Sequence, residues 1–220
     1  MMTPAKAENG PIVLELFTSQ SCSSCPPADK ILEQLSEDPN VIALSCHVTY
    51  WNHLHWKDTL SKEFCTNRQR QYVQSMNLRS SYTPQIVING QYEMVGSRGS
   101  KIDKRLKSLQ KNNSVHNIDL FVENGVLTIQ LPSIKRSNYN ITLMSHGDRH
   151  TQSIPSGENR GRTVSYTNPV EQFINLGEWD GSMNIVQYNL SQISDSKGLA
   201  VLVQEKDYLS PIIAAGKIKL

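Results

Sequence analysis

The motif Cys22-Ser23-Ser24-Cys25 is preceded by the apolar run Ile12 to Phe17 and followed at once by Pro26-Pro27. No other feature constrains the fold as much. The apolar run reads as a buried strand. Two consecutive prolines fit only in the first turn of a helix, where amide hydrogens have no helical partner. Beyond them Ala28, Ile31, Leu32 and Leu35 recur at i, i+3, i+4 and i+7, so one helical face is apolar and Ser23 or Ser24 is the expected cap. The cysteine pair therefore stands where a strand passes into a helix. That position favours a thiolate, the nucleophile of disulfide exchange, through unpaired N–H groups and partial positive charge.

A second apolar run, Val41 to Val48, makes a parallel crossover unit with the first strand and helix. The segment Trp51 to Asn77 is an insertion whose later part is helical, with Phe64, Arg68, Tyr72 and Met76 four apart. Asn89-Gly90 between two β-rich arms is a hairpin signal, and a last helix runs from about Lys101 to Gln110. This order of elements predicts an α/β thioredoxin-like fold with a helical insertion over residues 1–112. Past Asn112-Asn113 the composition shifts. A hairpin around Asn124-Gly125 and further strand-like stretches from Tyr139 to Ile218 predict a mainly antiparallel β, sandwich-like C-terminal domain over residues 113–220.

Charge excludes some partners. With 22 Lys+Arg against 20 Asp+Glu, the net charge of +2 leaves no footprint for nucleic acid. No stretch approaches the roughly 20 apolar residues of a membrane span. Four cysteines in 220 residues are too few for a disulfide scaffold. The phosphate-loop spacing is absent, and no cofactor is expected.

The candidate chemistry follows from the junction. Cys22 is the expected attacking thiol and Cys25 the resolving one. Glu15, alone among apolar neighbours on the first strand, is the expected acceptor of the Cys25 proton, unless it pairs with a lysine or a backbone group. Tyr82, Thr83 and Pro84 are the expected substrate-binding residues. Their backbone lies beside a proline expected to be cis and can pair with an extended peptide. His47, His53 and His55 near Cys46 offer soft-metal ligands together with Cys22 and Cys25, but the plainer reading, with no metal site, puts His47 on a strand and the others on a Trp-rich loop. Cys46 and Cys65 are expected to be buried free thiols, the alternative being a second disulfide between strand and helix, which spacing alone does not decide. The GENRGR stretch, 157–162, is expected to be an ordered turn in which Glu158 pairs with an arginine; the alternative folds it over the cysteines.

Four stretches, ELFTSQSCSSCPPAD (15–29), HVTYWN (47–52), YTPQIVING (82–90) and GENRGRT (157–163), resemble a bacterial, typically exported thioredoxin-like family, domain of unknown function 1223. The resemblance implies a redox-type cysteine pair and a periplasmic or secreted location, although the polar N-terminus here lacks the apolar core of a signal peptide. The chain departs from the family pattern at Ser21, where Gly is usual, and at Thr49 and Asn52, where the family carries aspartates. The function expected is a thiol-disulfide oxidoreductase acting on a protein thiol or disulfide substrate with a further redox partner. The alternatives are a redox-inactive binding module with a structural disulfide and a copper-delivery protein.

Overall fold

The structure is a computed structural model that describes residues 10–193, 196–206, 209 and 211–220. The elements run β1 (Ile12–Thr18), α1 (Pro26–Ser36), β2 (Val41–His47), α2 (Glu63–Ser75), β3 (Gln85–Ile88), β4 (Tyr92–Val95) and α3 (Gly99–Asn112). They continue through β5 (His116–Asn117), β6 (Asp119–Glu123), β7 (Val126–Leu131), β8 (Tyr139–His146), β9 (His150–Ser153) and β10 (Thr163–Tyr166). The last four are β11 (Val170–Trp179), β12 (Asn184–Asn189), β13 (Gly198–Glu205) and β14 (Ile212–Lys219).

The expectation of an α/β, thioredoxin-like fold with an appended β domain is corrected. Among the described residues there are three α-helices against strands in four sheets, so the molecule is mostly β with mixed pairing. The α/β signal came from the first half of the chain. Ten of the fourteen strands follow α3 and only four precede it, so the helices of the first half are outweighed by the strands of the second.

The first sheet has the order β2-β1-β3-β4, with β1 parallel to β2 and antiparallel to β3. Its inner strands are buried along their whole length and mostly apolar because both faces are covered, with Glu15, Thr18 and Gln85 the polar exceptions. Ile12, Leu14 and Leu16 point to Ala28 and Leu32 of α1 and to Ile102, Leu106 and Leu109 of α3. Val13 and Phe17, on the alternate face, join a cluster with Cys65 and Tyr72 of α2 and with Met144, Val170, Ala200, Leu202 and Ala215. The second cluster thus crosses the composition boundary near Asn113. The five-stranded sheet β11-β8-β13-β14-β5 supplies that contact on one face. On the other it packs against the three-stranded β12-β7-β6, with Leu127, Ile129 and Leu131 facing Ile141, Leu143, Val201 and Val203. The pair β9 and β10 forms a separate two-stranded sheet beside α1.

Both Asn-Gly hairpins form, and each needs positive φ at its two central residues: Asn89 (51°) and Gly90 (62°), Asn124 (51°) and Gly125 (77°). Helix α1 begins with its two prolines, but its N-cap is Cys25, with no side-chain cap bond, in place of the expected serine. The run Cys22 N–H to Ser19 and Cys25 N–H to Cys22 forms a tight turn that delivers the helix start one residue late for Ser24 to cap it.

Candidate functional site

The cysteines close a disulfide, Cys22–Cys25, with Cα atoms 5.5 Å apart, between the end of β1 and the first turn of α1. Cys25 is fully buried and Cys22 is 2 % exposed. Pro26 and Pro27 carry no amide hydrogen, and the amides of Ala28 and Asp29 both donate to the Cys25 carbonyl. The free N–H donors expected at this helix start are therefore used up. What remains near sulfur is the helix dipole and the Ser24 hydroxyl, 3.3 Å from Cys22 Sγ.

The pair is covered by a loop from the distant half of the chain. Asn159, buried while its loop neighbours Glu158, Arg160 and Arg162 are exposed, donates through Nδ2 to the carbonyls of Gln20 (2.9 Å) and Cys22 (2.8 Å). Its Oδ1 accepts from Arg162 Nη1 at 3.0 Å. The Glu158 carboxylate accepts the Ser23 amide at 3.1 Å, and Ser156 donates to the His55 carbonyl. The GENRGR stretch thus takes the alternative expected for it and lies over the cysteines, and its contact runs through Asn159 more than through either arginine. Gln20, fully buried, ties the same region to the insertion: its Oε1 accepts from Trp56 Nε1, and its backbone amide donates to Asp58 Oδ2 at 2.8 Å.

Beneath the disulfide lies a group of buried ionisable side chains. Asp29 sits in the first turn of α1, 2 % exposed, its Oδ1 accepting from Thr18 Oγ1 at 2.8 Å. Burial pushes its carboxyl up to about 7, partly opposed by the nearby His47 and by Thr18. Asp58 goes the other way. Burial raises it, but His47, together with the amides of Gln20 and Leu60, holds it below the usual carboxylate range. Asp58 is therefore ionised and accepts from His47 Nδ1 at 2.8 Å, which leaves His47 Nε2 buried without a hydrogen-bond partner among the described residues. The Tyr166 ring stands edge-on to His47 at 4.7 Å, and burial beside these two acids pushes its phenol well above the ordinary value.

Glu15 lies on the other face of β1, in register with Val13 and Phe17. Its carboxylate is bound by the Arg68 guanidinium and by the Tyr72 hydroxyl, and Arg68 also donates to Gln204 Oε1 at 2.9 Å. No hydrogen bond of Glu15 reaches either cysteine among the described residues. Burial pulls the Arg68 guanidinium down, but Glu15 and Tyr72 more than reverse this, so it stays charged. Of the residues Tyr82, Thr83 and Pro84, Pro84 lies beside Gly96, which also neighbours Ala28 in the first turn of α1. The Thr83–Pro84 bond is cis. Gly96 is the contact point: a Cβ there would lie 2.8 Å from Leu16, 3.1 Å from Ala28 and 3.4 Å from Pro84. The Tyr82 carbonyl accepts from Gln69 Nε2 at 2.7 Å, and Thr83 Oγ1 accepts from Trp51 Nε1 at 2.8 Å.

The expected free thiols at Cys46 and Cys65 are a correction: the two form a second disulfide, Cα atoms 5.3 Å apart, that ties β2 to α2. They stand 19 positions apart in the chain, and the docking of α2 on the sheet brings them into bonding range. No group of three His, Cys, Asp or Glu among the described residues is arranged to hold a metal; His53 Nδ1 faces the Tyr50 carbonyl. Reasoning from the residues alone passed over Asp29, Asp58, Gln20 and Asn159. One signal was there to read: Asp29 stands four residues after Cys25, one helical turn on.

No helix of the described residues is long and apolar enough to cross a membrane. No curated protein matches the chain. Among solved structures, a crystal structure of a protein from Agrobacterium tumefaciens is 28% identical, with a TM-score of 0.85, over 96% of this chain and 95% of that one. HBP35 of Porphyromonas gingivalis shares the fold at a TM-score of 0.59 and 18% identity, over 96% of this chain and 76% of that one. The family model described as protein of unknown function (DUF1223) matches residues 13–204, nearly the whole of both halves, and the chain belongs to that family.

Proposed function

We propose that the protein is a thiol-disulfide oxidoreductase acting on protein substrates in an oxidising compartment outside the cytoplasm. The observation that carries this reading is the placement of the Cys22–Cys25 disulfide at the N-terminus of α1, with Cys22 the nearer of the two to solvent. Cys22 is the sulfur that a substrate thiol attacks, or that attacks a substrate disulfide once reduced, and Cys25 resolves the mixed disulfide. The Ser24 hydroxyl and the helix dipole favour the Cys22 thiolate. An extended substrate pairs with the backbone of Thr83, which makes no backbone hydrogen bond of its own among the described residues, beside Tyr82 and Pro84. Two disulfides in one chain support the compartment, because the cytosol keeps thiols reduced.

The cover formed by Asn159 favours a second reading, a binding module in which Cys22–Cys25 is only structural. Reduction potential separates the two. A structural bond lies below about −300 mV, whereas exchange catalysts lie between about −270 and −120 mV. On the first reading Cys22→Ser abolishes exchange with a disulfide-bonded protein, and Cys25→Ala accumulates a mixed disulfide visible by mass spectrometry. Full exchange activity in the Cys22→Ser variant sinks it.

A further inference from the structure

Resting on the exchange reading above, we propose that Asp29 is the group that takes up and returns the proton of the buried Cys25 thiol, with Thr18 positioning it. Asp29 follows Cys25, the N-cap of α1, by one helical turn, and its amide donates to the Cys25 carbonyl at 3.1 Å. Its carboxyl is half satisfied. Oδ1 is held by Thr18, while Oδ2 is buried with no partner among the described residues, as is His47 Nε2. Buried polar atoms are nearly always hydrogen-bonded, and those left open concentrate where a proton must come and go. The groups that act on Asp29 come from each neighbouring element: Thr18 at the end of β1, His47 on β2, Asp58 in the insertion, and Tyr166 of β10, itself raised by the Asp29 charge. The other buried carboxylate of this sheet, Glu15, is already committed to Arg68 and Tyr72. The upward displacement of Asp29 to about 7 places it where it can exchange a proton near neutral pH.

The Cys22 thiolate attacks the substrate disulfide, forming the mixed disulfide and releasing one substrate thiolate. Cys25 gives its proton to the Asp29 carboxylate, attacks Cys22 Sγ, and expels the second substrate sulfur. The Asp29 proton then leaves to that thiolate. Two electrons pass from the protein dithiol to the substrate disulfide, and the reverse direction returns the proton to Cys25.

The test uses the full chain treated with one equivalent of a dithiol reductant, the redox state of each pair being read by alkylation and mass spectrometry. An aromatic disulfide with a coloured thiolate then reports two phases: a first release as Cys22 attacks, and a second as Cys25 resolves. Across about pH 5 to 9, Asp29→Asn is expected to leave the first phase intact, to slow the second about tenfold at neutral pH, and to move its midpoint up by about one pH unit towards that of a free thiol. Unchanged rate and midpoint in Asp29→Asn overturn the inference. Should that variant not fold, Thr18→Val keeps the carboxyl and removes the hydroxyl that lowers it, so the second-phase midpoint is expected to rise; an unmoved midpoint again overturns it. A wild-type chain that shows no second phase defeats the exchange reading itself, a separate outcome.

Discussion

Asn159 is one side chain with two buried bonds to backbone carbonyls; removing it takes one donor from the Gln20 carbonyl and leaves the Cys22 carbonyl with the Cys25 amide alone. Asn159→Ala is expected to cost about 1–3 kcal/mol in urea unfolding. It should also speed reduction of Cys22–Cys25 by a small thiol, followed by alkylation, because the loop is then held beside Cys22 only by exposed contacts such as Glu158 to the Ser23 amide. Asp29 gives a second residue-scale prediction, with its sign set by the raised carboxyl. Its folded value of about 7 exceeds the unfolded 3.8, so its contribution to stability is complete below the unfolded value and is lost as pH rises to about 7. Asp58, held low, acts in the opposite sense and loses its contribution as pH falls through its folded value. Asp29→Asn is therefore expected to flatten the decline in unfolding free energy between about pH 4 and 7, a decline of at most about 4 kcal/mol. A decline of equal size in the variant would assign it to another group. The cysteine junction was legible because it is local, a strand, a turn and two prolines within a few residues. The Asp29 cluster was not, because Thr18, His47, Asp58 and Tyr166 come from four places in the chain and no periodicity links them.

At the scale of elements, the contact between α1 and the β3-β4 hairpin passes through Gly96. Adding a methyl group there presses on Leu16 Cδ1 and Ala28 Cβ at once; Leu16 has to turn its side chain within a packed core, and Ala28 yields only if the first turn of α1 shifts. Gly96→Ala is expected to destabilise by about 1–3 kcal/mol and, if exchange occurs at Cys22, to slow it, since the helix start and the Thr83 backbone separate together. Thermal melting and the exchange assay check the two parts. Helix α2 shows where element-level reading stops. Its spacing announced a helix, but its buried face is Cys65, Thr66, Arg68, Gln69 and Tyr72, a mostly polar set that hydropathy assigns to solvent. Those residues are inside because each finds a partner: Cys65 bonds to Cys46, Arg68 to Glu15 and Gln204, Gln69 to Gln85 and the Tyr82 carbonyl.

At the scale of the molecule, the composition shift near Asn113 marks a change in strand content, while the packing ignores it. Val13, Phe17, Cys46 and Tyr72 share one cluster with Met144, Ala200 and Leu202, and Arg68 reaches across to Gln204. A boundary in composition was readable; the apolar face that each half presents to the other was not, because alternation shows that a strand has two faces and not what covers them. The full chain is expected to unfold in one transition, with Trp51 and Trp56 from one half and Trp179 from the other reporting the same midpoint as backbone circular dichroism. Two separated transitions would show that the halves fold independently. The cover over Cys22 carries a consequence for biosynthesis. Asn159 lies 137 residues after the carbonyl it caps, so a chain made from its N-terminus presents Cys22 and Cys25 long before the cap exists. An oxidant that meets the growing chain finds the pair uncovered, whereas one that meets the finished fold must pass Asn159.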